Sequence, residues 1–179
     1  DTGGSHSDLT DEYAAVRKEM ESVAAYLGKS VLREVDESEF VKNIADIRSS
    51  CGDRAVLRAM HFYGDNARVE KQAAALRAGD FKTFMKYIIE SGRSSYMYNQ
   101  NVYSCKKAAE QPVSLALSLS EKLLDGCGAW RVHGGGFAGT IQAFVPLNKL
   151  DEYKDLMERV FGSGSCYVLS VRPVGGVEL

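Results

Sequence analysis

The sequence lacks the features that define several classes of protein. Its 179 residues contain no apolar run near the roughly 18 residues that a membrane-spanning helix needs, and residues 1–10 have no signal-peptide core. The four cysteines form no Cys-x-x-Cys pair and have no histidine at metal-ligand spacing. We therefore expect a soluble, cytoplasmic chain with four reduced thiols.

An excess of charge of one sign is also missing. The 22 basic and 24 acidic residues are scattered along the chain and leave a formal net charge of −2. This balance gives no reason to expect a nucleic acid or an anionic membrane as partner. Hydrophobic residues make up 45% of the chain, which predicts one globular domain over residues 1–179.

Apolar residues recur at three- and four-residue steps over the first two thirds of the chain, which predicts a series of helices. The first helix begins at Thr10, which we expect to cap it, and ends before Gly28. A second begins at Asp36, where Glu39 completes a capping box. Further helices are expected over residues 53–78, from Asp80 onward, over residues 112–124 and over residues 150–161.

Two parts of this helical region are less regular. Gly64 lies inside the helix expected over residues 53–78 and indicates either a kink or a close packing point. Residues 91–110 show neither the helical nor the strand period, so we expect an irregular, partly helical connection there. We expect His61 to make a structural hydrogen bond with Asp65, and Arg131 to face solvent or an acidic helix.

The last third of the chain changes to strand patterns. Residues 129–133 and 140–145 are short strand-like runs on either side of a glycine-rich loop, and residues 166–172 form another such run. Many helices followed by strand, loop, strand, helix and strand indicate an α+β domain with a small antiparallel sheet.

The loop at residues 134–139, Gly-Gly-Gly-Phe-Ala-Gly, has four glycines in six positions. Glycine loses more backbone entropy on folding than any other residue, so this run needs a reason. Its amides can face an anion, or a neighbouring loop that holds one. An ordinary hairpin turn explains the loop equally well when it is taken alone. The spacing matches neither the P-loop nor the dinucleotide fingerprint.

The residues on both sides of the loop, taken together with it, resemble the motif of a known family. Residues 128–140, Gly-Ala-Trp-Arg-Val-His-Gly-Gly-Gly-Phe-Ala-Gly-Thr, resemble the third signature motif of the GHMP kinase superfamily. Residues 11–17 and 58–69 are similar to two segments of galactokinases in particular, and the order and spacing agree from Tyr13 to the end. The resemblance implies a GHMP kinase carboxy-terminal domain, related to the ferredoxin-like fold, with an antiparallel sheet of about four strands packed with several helices.

The resemblance also implies a function. The chain would be the carboxy-terminal half of an ATP-dependent sugar 1-kinase that converts ATP and galactose to galactose 1-phosphate. The family's catalytic residues and its phosphate loop lie in an amino-terminal domain that is not represented here, and that domain would bind most of ATP and Mg²⁺. We therefore expect no catalytic residue and no metal site in this chain, and no activity from it alone. Its partners would be galactose, ATP and its own amino-terminal domain.

The resemblance assigns candidate site residues. Tyr13 corresponds to the family tyrosine that hydrogen-bonds the sugar. His133 is a further candidate, which either faces the transferred phosphate or is hydrogen-bonded as a strand residue. Ala138 replaces a family glycine, and we expect its methyl group to narrow the approach of the loop to phosphate. The residues expected beside the phosphate loop are Gly134, Gly135, Gly136, Phe137 and Gly139.

Three alternatives stay open at this point. A catalytically inactive, galactose-sensing paralogue would keep this domain, and the sequence of the other half would distinguish it from a kinase. Another GHMP small-molecule kinase would keep the domain and change the substrate. A free-standing binding module would bind a ligand at Tyr13 and the glycine loop without a second domain.

Overall fold

The structure is a computed structural model that describes residues 1–4, 9–171 and 174–175. The described residues form seven α-helices and one antiparallel sheet of two strands. The helices are α1 Thr10–Tyr26, α2 Glu37–Lys42, α3 Ile44–Cys51, α4 Asp53–Arg77, α5 Phe81–Ser94, α6 Pro112–Leu124 and α7 Leu150–Phe161, and the strands are β1 Ala129–Val132 and β2 Ile141–Phe144.

Local sequence signals account for most helix ends. Pro112 is the first residue of α6, as expected, because a fixed φ and a missing N–H suit the first turn. Asp80 caps α5 by accepting a hydrogen bond from the amide of Thr83 at 3.0 Å. Asp36 caps α2 in the same way, and its carboxylate accepts from the amide of Ser38 at 2.8 Å.

Two helix predictions need correction. Thr10 does not cap α1 but is its first residue, and Leu9 occupies the cap position without a side-chain hydrogen bond. The helix expected from Asp36 is broken at Asn43, which has a non-helical backbone with φ −103° and ψ 10° and separates α2 from α3. Phe40 of α2 and Ile47 of α3 nevertheless pack into one core.

The irregular connection expected over residues 91–110 begins later than its sequence suggests. Ser91 to Ser94 complete α5, and a π-helix over Ser95–Asn99 follows without interruption. Gln100 then adopts a left-handed conformation, with φ 53° and ψ 46°. A 3₁₀ turn at Cys105–Lys107 makes the connection partly helical, as expected.

The α+β class is confirmed, but the expected sheet of about four strands is not. Strand β1 pairs with β2 from Ala129 opposite Phe144 to Val132 opposite Ile141. Residues 166–171 do not form the expected strand, and residue 172 lies outside the described residues. A strand needs a hydrogen-bonded neighbour, and this segment instead leaves Leu169 87% and Val171 93% exposed.

Three apolar clusters hold the helices and the hairpin together. The first lies among α1 to α4 and includes Val23, Phe40 and Ile47. The second joins the sheet to α6 and α7 through residues such as Trp130 and Met157. The third is small and lies at the glycine loop, where Leu9, Phe137 and Ala138 pack together with Tyr13 and Val16. The loop is therefore part of the folded core and not a free turn.

A polar seam joins α4, α5 and β1. His61 is hydrogen-bonded through Nδ1 to Ser94 Oγ at 2.9 Å, whereas its Nε2 is 3.8 Å from Asp65. The hydrogen-bond partner of His61 is therefore Ser94, and not Asp65 as expected from the sequence. Burial lowers the pKa of His61, which favours the neutral ring. Arg131 is half-buried and donates to Ser91 Oγ of α5 at 2.8 Å, so solvent reaches only part of this residue.

Gly92 is the point of closest approach between α5 and β1. A Cβ at Gly92 would lie 2.9 Å from the Cβ of Arg131 and 3.1 Å from the carbonyl oxygen of Trp130. Gly64 marks no interruption of α4, and a Cβ there would meet only the flexible guanidinium of Arg68, at 3.2 Å. The two helical glycines therefore have different reasons to be glycine.

We predict opposite effects for alanine at these two glycines. Gly92→Ala pushes α5 away from β1 and should lower the free energy of unfolding by about 1–3 kcal/mol. Gly64→Ala removes backbone freedom inside a helix and should leave stability unchanged or raise it by about 1 kcal/mol. Urea unfolding monitored by circular dichroism measures both changes. Equal destabilisation by the two substitutions would contradict the close contact at Gly92.

Candidate functional site

Tyr13 and the glycine loop are in direct contact. Tyr13 lies in the first turn of α1, and its hydroxyl donates a hydrogen bond to the carbonyl oxygen of Gly136 at 2.7 Å. The edge of one ring meets the face of the other between Tyr13 and Phe137, with 5.3 Å between ring centroids and 88° between planes. Burial raises the pKa of Tyr13, so the phenol stays protonated and able to donate.

Two glycines of the loop are required by close approach. A Cβ at Gly136 would lie 1.9 Å from the carbonyl oxygen of Asn101, a distance that no side chain can occupy, and Gly136 has φ 80°. A Cβ at Gly135 would lie 2.7 Å from the ring of Tyr13. The glycines thus bring main chain against Asn101 on one side and Tyr13 on the other.

Asn101 follows the π-helix and forms two hydrogen bonds with the glycine loop, a contact that we call the clasp. Its carbonyl oxygen accepts a hydrogen bond from the amide of Phe137 at 2.5 Å, and its side-chain amide donates to the carbonyl of Gly135 at 3.1 Å. Phe137 has φ 59°, a left-handed conformation that is unfavourable for a residue with a side chain. Sequence reasoning missed Asn101, because it lies in a segment without a clear period.

Ala138 lies against Gly4, and the expectation that its methyl group narrows the approach of the loop to phosphate stays a prediction. Ala138 is buried, and a Cβ at Gly4 would lie only 2.9 Å from the Cβ of Ala138. Thr2 holds the same end of the loop, since its amide and its hydroxyl both donate to the carbonyl of Gly139. Ala138 therefore packs against the start of the chain, where a methyl group is accommodated.

His133 lies at the mouth of the hairpin. Its amide donates to the carbonyl of Thr140 at 3.0 Å, and its Nδ1 is 3.4 Å from Thr140 Oγ1. The side chain is exposed, so its main chain is engaged in the hairpin while its ring is accessible. A role facing phosphate stays a prediction.

A groove of about 500 Å³ runs from the glycine loop along α1 to α4. Tyr13, Gly134 and Gly135 line it together with Phe62. Arg17 lies at the rim and forms an ion pair with Glu21 at 2.7 Å. The predicted sugar residue and two of the predicted loop residues thus share one concave surface of a size that suits a small molecule.

A buried arginine holds the main chain next to this groove. Arg58 is 0% exposed, and its Nε donates to the carbonyl of Asn99 at 3.0 Å. Its Nη1 donates to the carboxylate of Glu19 at 2.9 Å, which balances the buried charge. Burial lowers the pKa of Arg58, although a guanidinium remains charged in proteins. Local sequence patterns did not indicate this role, because the partners are 39 and 41 residues away.

In residues 1–4, 9–171 and 174–175, no group of three or more His, Cys, Asp or Glu side chains is placed to hold a metal ion. None of the helices described above is long and apolar enough to cross a membrane. All four cysteines are free thiols, as expected.

The fold resembles that of a galactokinase. The crystal structure of Lactococcus lactis galactokinase complexed with galactose superimposes with a TM-score of 0.65 and 21% identity. The match covers 87% of this chain and 38% of that one. At this identity the likeness establishes the fold alone.

Sequence relatives give the same result. The chain is 32% identical to human galactokinase over 165 residues, 36% identical to Bos taurus galactokinase over 164 residues, and 26% identical to Mannheimia succiniciproducens galactokinase over 152 residues. These alignments cover 85–92% of the chain but only 37–39% of the relatives. No family model matches the chain. The resemblance to the carboxy-terminal domain of galactokinases is therefore confirmed.

We predict that Gly136→Ala prevents the loop from closing on Asn101. The added methyl group collides with a main-chain carbonyl that cannot move independently, so the free energy of unfolding should fall by roughly 3 kcal/mol or more. Gly134→Ala is the matched control, because Gly134 also has a positive φ of 65° but a Cβ there meets nothing within 4 Å. It should cost only about 1–2 kcal/mol of backbone strain. Denaturant unfolding of both variants measures the difference, and similar losses would argue against the clasp.

Proposed function

We propose that this chain is the carboxy-terminal half of an ATP-dependent sugar 1-kinase that phosphorylates galactose. The observation that carries the proposal is the hydrogen bond between Tyr13 and Gly136, which joins a sugar-binding candidate to the glycine loop in one groove. The curated relatives are named galactokinases, and the matched crystal structure is that of a galactokinase complexed with galactose.

Tyr13 would orient the sugar. A phenol can accept a hydrogen bond as well as donate one. The hydroxyl that donates to Gly136 therefore has the chemistry to accept a hydrogen bond from a sugar hydroxyl. Its ring is held against Phe137, which limits the positions that the hydroxyl can occupy. A fixed hydroxyl lowers the entropic cost of holding the sugar in a reactive orientation.

The glycine loop would brace the phosphate-binding loop of the other half. Position 135 lacks a side chain where the loop lies against Tyr13, so the main chain itself forms this part of the groove surface. A bare main chain can approach a phosphate-holding segment closely and direct amide dipoles toward it. Phosphoryl transfer depends mainly on such positioning and on stabilising charge.

The other half would supply the chemistry. The described residues offer no cluster suited to Mg²⁺, so ATP and Mg²⁺ would be bound mainly by the amino-terminal domain, where the metal neutralises phosphate charge. Residues 167–171 expose apolar side chains that a further part of the protein would cover. A cytoplasmic location, where ATP is abundant, goes with this proposal.

We predict that Tyr13→Phe weakens sugar binding selectively in the full-length protein. The KM for galactose should rise roughly tenfold, the effect of losing about 1.4 kcal/mol of hydrogen bonding, with the KM for ATP changed less than about twofold. The phenyl ring keeps its contact with Phe137, so the domain should stay folded. Steady-state phosphorylation assays with each substrate varied in turn measure both constants.

The matched control is Tyr26→Phe. Tyr26 is the last residue of the same helix, so the identical chemical change is made about 20 Å from Tyr13 along the helix axis. It should leave both constants at their original values. A KM for galactose that is unchanged in Tyr13→Phe would remove Tyr13 from the sugar site.

We also predict that the 179-residue chain alone transfers no phosphate. Incubated with galactose, ATP and Mg²⁺, it should form no galactose 1-phosphate above background, while the full-length protein does so under the same conditions. Separation of radiolabelled sugar phosphate detects the product. Turnover by the chain alone would mean that its own residues contain a complete active site, and no turnover by either protein would favour a galactose-sensing paralogue.

A further inference from the structure

The contact between Asn101 and the glycine loop fixes the orientation of successive peptide groups. The side chain of Asn101 holds the carbonyl of Gly135, Tyr13 holds the carbonyl of Gly136, and the main chain of Asn101 holds the amide of Phe137. In a trans peptide the N–H points opposite to the C=O. The amide of Gly136 must therefore point away from Asn101, because the carbonyl of the same peptide group points toward it.

Asn101 is itself held firmly. The π-helix over Ser95–Asn99 ends in a hydrogen bond from the amide of Gln100 to the carbonyl of Ser95 at 2.8 Å. Arg58 holds the preceding carbonyl, that of Asn99, at 3.0 Å. The side chain of Asn101 is 4% exposed, so it is enclosed by its neighbours.

Backbone strain is concentrated at the contact between Asn101 and the glycine loop. Gln100 and Phe137 are the two non-glycine residues with positive φ in the described part of the chain, and they flank the two sides of this contact. The Oδ1 atom of Asn101 is buried without a hydrogen-bond partner, although its Nδ2 is engaged. Strain and an unsatisfied buried acceptor both cost stability, and such costs concentrate where function requires a particular geometry.

We propose that Asn101 is a positioning residue of the kinase reaction, which sets the peptide plane between Gly135 and Gly136 and so directs the Gly136 amide away from the clasp. This role rests on the proposed function, because the loop would use that plane to brace the phosphate-holding segment. Asn101 acts through the loop and does not touch the reacting atoms. Its effect therefore falls on turnover and on the use of ATP more than on galactose binding.

The test compares three variants of the full-length protein. Asn101→Ala removes the donor to Gly135. Asn101→Asp keeps the shape but places an acceptor against an acceptor, and it regains a donor only when the carboxyl group is protonated. Ser120→Ala is the matched control, because Ser120 is equally buried and hydrogen-bonded to Tyr153 at 2.8 Å in the second apolar cluster, remote from the loop.

Two measurements are made on each variant. Hydrogen–deuterium exchange, read by mass spectrometry on peptides covering residues 133–138, reports how firmly the loop is held. Steady-state kinetics give kcat and both KM values at about pH 8, each relative to the unmodified protein.

Asn101→Ala should speed exchange in the loop at least about fivefold and lower kcat roughly tenfold, while the KM for galactose changes less than about twofold. Asn101→Asp should match it at about pH 8, because the ionised carboxylate cannot donate to the carbonyl of Gly135. Ser120→Ala should lose stability but keep normal loop exchange and kinetics.

The outcomes separate the two proposals. If Asn101→Ala behaves like Ser120→Ala in exchange and in kcat, the positioning role is wrong while the kinase function stands. If the unmodified protein transfers no phosphate from ATP to galactose, the proposed function is wrong, whatever the exchange data show about the loop.

Discussion

The architecture of the site depends on one steric constraint, the absence of a side chain at Gly136 where the loop crosses Asn101. With 1.9 Å between a hypothetical Cβ and the carbonyl oxygen of Asn101, only glycine permits the crossing. The crossing brings together α1 through Tyr13, the end of the π-helix through Asn101, and the β1–β2 hairpin. Three parts of the chain that are far apart in sequence thus meet at one main-chain contact.

Several features of this contact lower the free energy of unfolding. Left-handed backbone at Gln100 and Phe137 costs about 1 kcal/mol or more at each residue, and a guanidinium is buried beneath them at Arg58. These costs are offset by the apolar clusters on either side and by the carboxylate of Glu19. A site built in this way has few alternative conformations, because each strained residue is held by a partner from another element.

The sequence predicted what is encoded locally. The Pro112 start of α6, the Asp80 cap of α5 and the hairpin around the glycine loop are all confirmed, since each depends on residues within one or two turns of chain. The same local reasoning was wrong for Thr10 as a cap, because Leu9 takes that position, and for the helix broken at Asn43.

The contacts that build the site were not predictable in this way. Tyr13 and Gly136 are 123 residues apart, and Asn101 and Gly135 are 34 residues apart, so no local period reports their meeting. Tyr13 was found only through the family resemblance. The one local signal near Asn101 was its position between polar residues without helical or strand period, and that signal indicated irregularity without indicating a partner. Gln100 added no clue, because left-handed backbone is more typical of Asn, Asp or Gly.

The exposed apolar run at residues 167–171 has a consequence for handling the isolated chain. Exposed valine and leucine side chains offer an apolar surface to any other molecule with a similar segment. Two copies can bury these side chains by packing against each other, and further copies can extend the association. Self-association of the isolated chain should therefore increase with protein concentration, and polar substitutions at Leu169 and Val171 would improve its solubility without touching the groove.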